Sequence, residues 1–100
     1  MLKKNNKFDV ILANGLFTQR LKLKNEDMYK YLFKSLLKLK YHFKKKLVFN
    51  LLFDSVDWKN SKNFYVSLDK LLKFLRKNIS KKITFRLDYS NNEMMVIVFK

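Results

Sequence analysis

One hundred residues, 48% of them apolar, make a single small domain with a core and exclude a compositionally disordered chain. The absence of Cys and the lone His exclude disulfides and thiolate chemistry and argue against a zinc or haem site. Twenty-three Lys or Arg against eight Asp or Glu leave a formal charge of +15, which destabilises a compact chain unless RNA, DNA or an anionic membrane surface neutralises it.

Met1–Lys7 reads as a basic tail, and Phe8–Phe17 as an apolar run containing the turn signal Asn14-Gly15. Asp9–Leu12 within it is open between strand and helix. Arg20–Lys24 alternates as a weak strand or a basic loop. Asn25 fits a helix N-cap, followed by Glu26 and Asp27 where the helix dipole favours acids. Met28, Leu32, Leu36, Leu39 and Phe43 then recur at helical spacing, while Lys30, Lys34 and Lys38 stack on another face, so an amphipathic helix is expected here. It runs into the densest basic stretch, Lys38, Lys40, Lys44, Lys45 and Lys46, with Tyr41, His42 and Phe43 between. Leu47–Phe53 is either a strand or more of the helix, since neither Gly nor Pro stops it.

Asp54–Asn63 is a loop. Ser67 reads as the N-cap of a second helix, with Asp69 in the first turn, a stripe of Leu68, Leu71, Leu72 and Leu75, and Asn78 closing it. The period then changes: Ile83, Phe85, Leu87 and Tyr89 alternate with Thr84, Arg86 and Asp88 as a half-buried strand. Ser90–Glu93 is a turn, and Met94–Phe99, apolar throughout, predicts a strand covered on both faces. No stretch reaches the roughly 18–20 apolar residues of a membrane-spanning helix, and the N-terminus has neither a signal core nor an import helix. The fold class expected is α+β: basic amphipathic helices, then a C-terminal helix with an antiparallel β-hairpin. The composition itself, with Lys in place of most Arg, Gly15 and Ala13 alone of their kinds and no Pro, is what an extremely AT-rich coding sequence yields, as in organellar genomes and some bacteria, parasites and phages.

Leu72–Lys100 resembles the N-terminal KH region of small-subunit ribosomal protein three. In that family a helix with a basic end leads to an Ile/Val-Ser-basic-Ile step, an alternating strand with an Arg on its polar face, a turn and an apolar strand. Ile79-Ser80-Lys81-Lys82-Ile83 fills the step and Arg86 the polar position. Trp58-Lys59-Asn60-Ser61-Lys62-Asn63-Phe64-Tyr65 is similar to the segment before the family's helix. The family's Gly-Gln-Lys, His-Pro and Arg-Leu-Gly elements are absent, and so is the Gly-x-x-Gly loop that clamps a nucleic-acid backbone. The resemblance implies two regions: residues 1–57, basic, helical and of no assigned family, and residues 58–100, an incomplete type II KH-like unit completed by a partner chain. Ribosomal protein seven is a second comparison, on Tyr31–Leu39 and Phe49–Val56, but it fails after residue 66.

The function these observations predict is structural: a component of a mitochondrial small ribosomal subunit, organelle-encoded and held on the matrix ribosome. Lys38, Lys40, Tyr41, Lys44, Lys45, Lys46, Lys77, Lys81, Lys82 and Arg86 are the candidate RNA contacts, since Lys binds backbone without reading sequence. Met94, Val96 and Val98 are the candidate partner contacts, with other small-subunit proteins and ribosomal RNA as partners. Tyr41 is open between base stacking and packing, Phe43 is read as core, and Trp58 as an anchor at the core edge. Pairing of Arg86 with Asp88 or Glu93 is the plain alternative to a phosphate contact. His42 lacks the nucleophile and acid a catalytic base requires. A single Gly cannot build a phosphate loop, and the acids are scattered. No catalytic residue, metal or cofactor is therefore expected, and the chain is read as a binding protein, not an enzyme. Two rivals stay open: a free basic nucleic-acid-binding module, and a membrane-surface protein lying on the basic helix Asn25–Lys46.

Overall fold

The computed structural model describes residues 7–13 and 23–100. The expected basic tail falls almost wholly outside these residues. The Asn14-Gly15 turn and most of Arg20–Lys24 lie outside them too.

Phe8–Ala13 is a strand, β1, which decides the first open choice. The first helix, α1, spans Asn25–Leu39, with Lys24 rather than Asn25 at the cap position and no side-chain cap. Glu26 and Asp27 in its first turn and Lys38 in its last complement the dipole instead. The helix stops earlier than its apolar spacing predicts. Lys40 donates its backbone N–H to Leu36 O at 3.0 Å, His42 to Leu39 O at 2.9 Å, and the chain turns. Strand β2 then runs over Phe43–Phe53. Phe43, Leu47, Phe49, Leu51 and Phe53 are its buried positions, so from Leu47 a period of two replaces the helical spacing. Lys44–Lys46 consequently sit on a strand, not on a helix end.

After the loop come β3 (Tyr65–Val66), α2 (Leu68–Asn78), β4 (Lys82–Arg86) and β5 (Glu93–Phe99). Ser67 caps α2 as its sequence predicts, its Oγ accepting the Lys70 N–H at 3.3 Å. The hairpin β4–β5 also forms, although β4 ends at Arg86 and leaves Leu87 and Tyr89 exposed.

The sheet order is β1-β2-β5-β4, with β3 pairing the end of β2 off this path. β1 and β3 run parallel to β2; β5 is antiparallel to both β2 and β4. The fold is thus a small mixed domain, a five-stranded mixed sheet with two helices. Strands from both sides of the 57/58 boundary pair within it.

Both helices pack on one face. Met28, Leu32 and Leu36 of α1 and Leu71 and Leu75 of α2 meet Leu47, Phe49, Leu51, Met94, Val96 and Val98 in one buried cluster. Each such Leu contributes about 1.5–3 kcal/mol by leaving water. Across the helix pair, Phe33 stacks on Phe74, centroids 4.0 Å apart. One-sided helices follow from topology: right-handed crossovers that step across a sheet in one direction lie on one face. The other face carries Val10, Leu12, Val48, Asn50, Leu52, Met95 and Ile97, alternating with the core positions. No helix among the described residues covers it.

Met94, Val96 and Val98, the expected partner contacts, are completely buried in this chain's own core. The reason is the position of β5. β5 lies between β2 and β4, and Met94, Val96 and Val98 face this chain's own helices; the cover expected on both faces is found on one, since Met95 and Ile97 lie on the face that no helix among the described residues covers.

Candidate functional site

Strand directions give the sheet two chemically different ends. At the carboxyl end of β2, the loop after Phe53, the start of β3 and the turn between β4 and β5 enclose an open cleft of about 590 Å³. Leu52, Ser55, Val56, Asp57, Trp58, Asn60, Asn63, Tyr65, Asn91 and Asn92 line it. Its walls are tied down by backbone bonds: Phe53 N–H to Asn92 O at 3.2 Å and Asp54 N–H to Val66 O at 3.0 Å. Within the loop, the Asn60 N–H donates to the Tyr65 hydroxyl at 2.9 Å and the Asn60 side-chain oxygen accepts from the Lys62 N–H at 2.9 Å. Ser90 Oγ accepts the N–H groups of Asn92 and Glu93, both at 3.2 Å, and so shapes the opposite wall.

From beneath, Tyr29 of α1 holds the loop's exit. Its hydroxyl accepts the Ser67 N–H at 2.8 Å, and its ring meets Phe64 edge-on with centroids 5.0 Å apart. At the rim, Lys59 lies over the Tyr65 ring at 5.8 Å. Trp58 is 75% exposed. The core-edge anchor expected of Trp58 is therefore corrected: the indole lines the cleft and faces water. Chemically the cleft offers amides, the Ser55 and Tyr65 hydroxyls, the Asp57 carboxylate and two aromatic faces, a set suited to orienting a small planar polar molecule. Asn and Ser rich stretches read as plain loops in the sequence; that polarity next to a lone Trp was the available signal for this cleft.

The amino end is basic. Lys44, Lys45 and Lys46 open β2, Lys82 opens β4, and Lys81 precedes it. The last turns of both helices, with Lys38 on α1 and Arg76 and Lys77 on α2, arrive at the same end, as does Lys100 after β5. The pairing Lys46–Phe99–Lys82 fixes this convergence across three strands. Lys100 donates Nζ to Lys40 O at 2.8 Å and lies 4.3 Å from the centre of the Phe43 ring. Burial first, then the charges of Lys7 and Lys40, pushes the Lys100 amine below its ordinary range. Asp9 apart, the acids keep to the other end: Glu26, Asp27 and Asp69 in the first helical turns, Asp54 and Asp57 after β2, Asp88 and Glu93 between β4 and β5.

Of the residues expected to touch RNA, Lys38, Lys40, Tyr41, Lys44, Lys45, Lys46, Lys77, Lys81 and Lys82 are brought together at this end. Arg86 is not. It lies at the far end of β4, its Nη2 donating to Asp88 at 3.0 Å and its Nε at 3.3 Å. That bond, then the Coulomb attraction, holds the guanidinium above its ordinary value; the same bond holds the Asp88 carboxyl below its own. Tyr41 is 66% exposed on the turn, while Phe43 is fully buried. His42 is half-buried on that turn, its carbonyl accepting the Phe8 N–H at 2.7 Å.

No protein-family model matches the sequence, and no curated protein matches it. The fold, however, has solved counterparts. Crystal structures of magnesium protoporphyrin IX methyltransferase from Synechocystis PCC 6803 are similar over 95% of this chain, with TM-scores of 0.59 for the form with bound SAM and 0.63 for that with bound SAH. Identity is 7% in each, and this chain spans 40% and 46% of those chains. The chain therefore covers less than half the length of either. At this identity the likeness is one of fold.

It corrects the earlier reading. The helix, strand, turn and strand of residues 68–99 exist, but they belong to a mixed sheet with β1 and β2, a fold matched by a methyltransferase rather than by a KH unit. The resemblance to ribosomal protein three, the structural role in a mitochondrial small subunit and its place in translation fall with it, and neither rival gains support. The expectation of a non-enzyme is at odds with this likeness too, since the solved structures that share the fold are those of an enzyme. The partner that was to complete a KH domain loses its premise.

Proposed function

We propose that this chain forms the acceptor-side part of a methyl-transferring enzyme that uses S-adenosylmethionine. The observation supporting the reading is positional. In open α/β sheets ligands sit outside the carboxyl ends of the strands, and the cleft between Leu52 and Asn92 occupies that place on a fold similar to a SAM-bound methyltransferase.

Dinucleotide-type crevices open where strand order reverses, and with both helices on one face no such reversal falls among the described residues. A crevice for the donor would open at the edge of β1, where the described residues show no further strand. The described residues there, Val10, Leu12 and Ala13, are apolar and offer no polar side chain to a nucleoside or an amino acid. By themselves they do not fit the whole cofactor, and no step is derived through it. The cleft residues have definable tasks: Trp58 and Tyr65 stack on a planar acceptor, Asn63, Asn91 and Asn92 orient its polar edge, and Asp57 takes a hydrogen bond, or the proton, from its O–H or N–H.

The test is transfer of tritiated methyl from SAM by protein purified from its source with its associated chains, using extracts of cells lacking it as acceptor. Label is expected, and Asp57→Asn is expected to lower kcat/KM about a hundredfold. Absence of label in every fraction, together with no response of Trp58 fluorescence to SAM or SAH, overturns the reading.

A further inference from the structure

We propose that the basic end of the sheet is a docking surface for a nucleic-acid backbone, built where the strand starts and helix ends of the whole fold converge. This goes beyond the methyl-transfer reading and does not depend on it. β2 rises about 3.3 Å per residue, so Lys44 stands about 30 Å from the cleft at its other end.

Lys44, Lys45, Lys81 and Lys82 are exposed, and they face no acid but Asp9. Neighbouring strands are about 4.8 Å apart, which sets Lys46 and Lys82, on either side of Phe99, about 10 Å from each other. Ammonium groups at such spacing bind successive phosphates as point charges and leave base identity unread. Tyr41, 66% exposed with Lys40 Nζ 5.8 Å from its ring centre, adds a face on which a base can stack. A membrane surface fits less well. A helix lying on lipid needs an outward apolar face, and that of α1, Met28, Leu32 and Leu36, is buried against the sheet.

Fluorescence anisotropy with a short unstructured single-stranded RNA tests the surface across about 50–200 mM salt. Neutralising six phosphates on a single strand predicts a log–log slope of about −4. The triple variant Lys44→Gln, Lys45→Gln, Lys81→Gln is expected to weaken binding at least about tenfold and to flatten the slope by about 2. Removing the same charge elsewhere, as Lys24→Gln, Lys30→Gln, Lys62→Gln, is expected to leave the slope unchanged. All six side chains are exposed, so both variants should match the parent in far-UV circular dichroism. Equal weakening by the two triples would show that overall charge, not this surface, binds RNA, and so would sink the proposal. Unchanged binding by the Lys44→Gln, Lys45→Gln, Lys81→Gln variant, or binding to anionic vesicles without binding to RNA, sinks it as well.

Discussion

Tyr29→Phe removes one oxygen and with it the acceptor for the Ser67 N–H, a bond of 2.8 Å joining α1 to the residue that caps α2. The ring stays, and so do its edge contact with Phe64 and the Lys70 ammonium 3.9 Å from its centre. Ser67 is half-buried, so the orphaned amide recovers water incompletely, and the expected loss is about 1 kcal/mol. For a domain of this size that is a fall in Tm of about 4–8 °C. Tyr29→Ala also removes the ring contacts and leaves space beside Phe64, for a total of about 3 kcal/mol. Urea unfolding followed by far-UV circular dichroism measures both, because exposed Trp58 is a poor reporter of unfolding. It is a good reporter of the loop, and its emission should change in Tyr29→Phe before unfolding begins. A Tyr29→Phe protein as stable as the parent, with Tyr29→Ala no worse, would refute the claim that this side chain ties the cleft loop to the helices.

Three further expectations follow from the geometry. Leu47→Ala, on the helix-covered face and fully buried, should cost about 3–4 kcal/mol in urea unfolding, whereas Val48→Ala on the open face should cost less than about 1 kcal/mol; equal losses would mean the faces are misassigned. The Arg86 bond holds the Asp88 carboxyl below its ordinary value of 3.8, so what the pair contributes is present above that value and is lost as pH falls through the lower folded value. NMR titration of the Asp88 carboxyl should show it, and Arg86→Gln should move the midpoint upward, toward the ordinary value. The Lys100 amine is depressed by burial, so stability should rise as pH climbs through its folded value toward 10.5, and its NMR titration should show a midpoint below 10.5; a Lys100 midpoint at or above 10.5 contradicts the packing over Phe43.

Much of the local structure was legible because it depends on local chemistry. Ser67 caps α2 through an N–H three residues away, and Leu68, Leu71 and Leu75 of the α2 stripe face the core as their spacing requires, while Leu72 lies outside the cluster. The β4–β5 hairpin was equally readable, with alternation before the turn and continuous apolarity after it. The resemblance to a KH unit misled for the same reason. Helix, strand, turn and strand is a local order shared by folds that differ in which strands flank it, and here β5 inserts between β2 and β4.

By itself, the sequence determined the α+β class, the two helices, the hairpin and the excess positive charge, since propensity, capping and periodicity act over a few residues. Tertiary structure decided what depends on pairing across long separations. The Leu39–Phe43 step fits a helix, yet Phe43 begins a strand because β1 and β5 supply hydrogen-bonding partners to its flanks. Met94, Val96 and Val98 are apolar because their strand is central, not because another chain covers them. Lysines from the middle and the end of the chain share one surface because parallel strands begin, and their return helices end, on the same side of a sheet. The cleft on the opposite side is assembled from a loop and a distant turn, whose Asn and Trp residues become neighbours only when β2 and β5 pair.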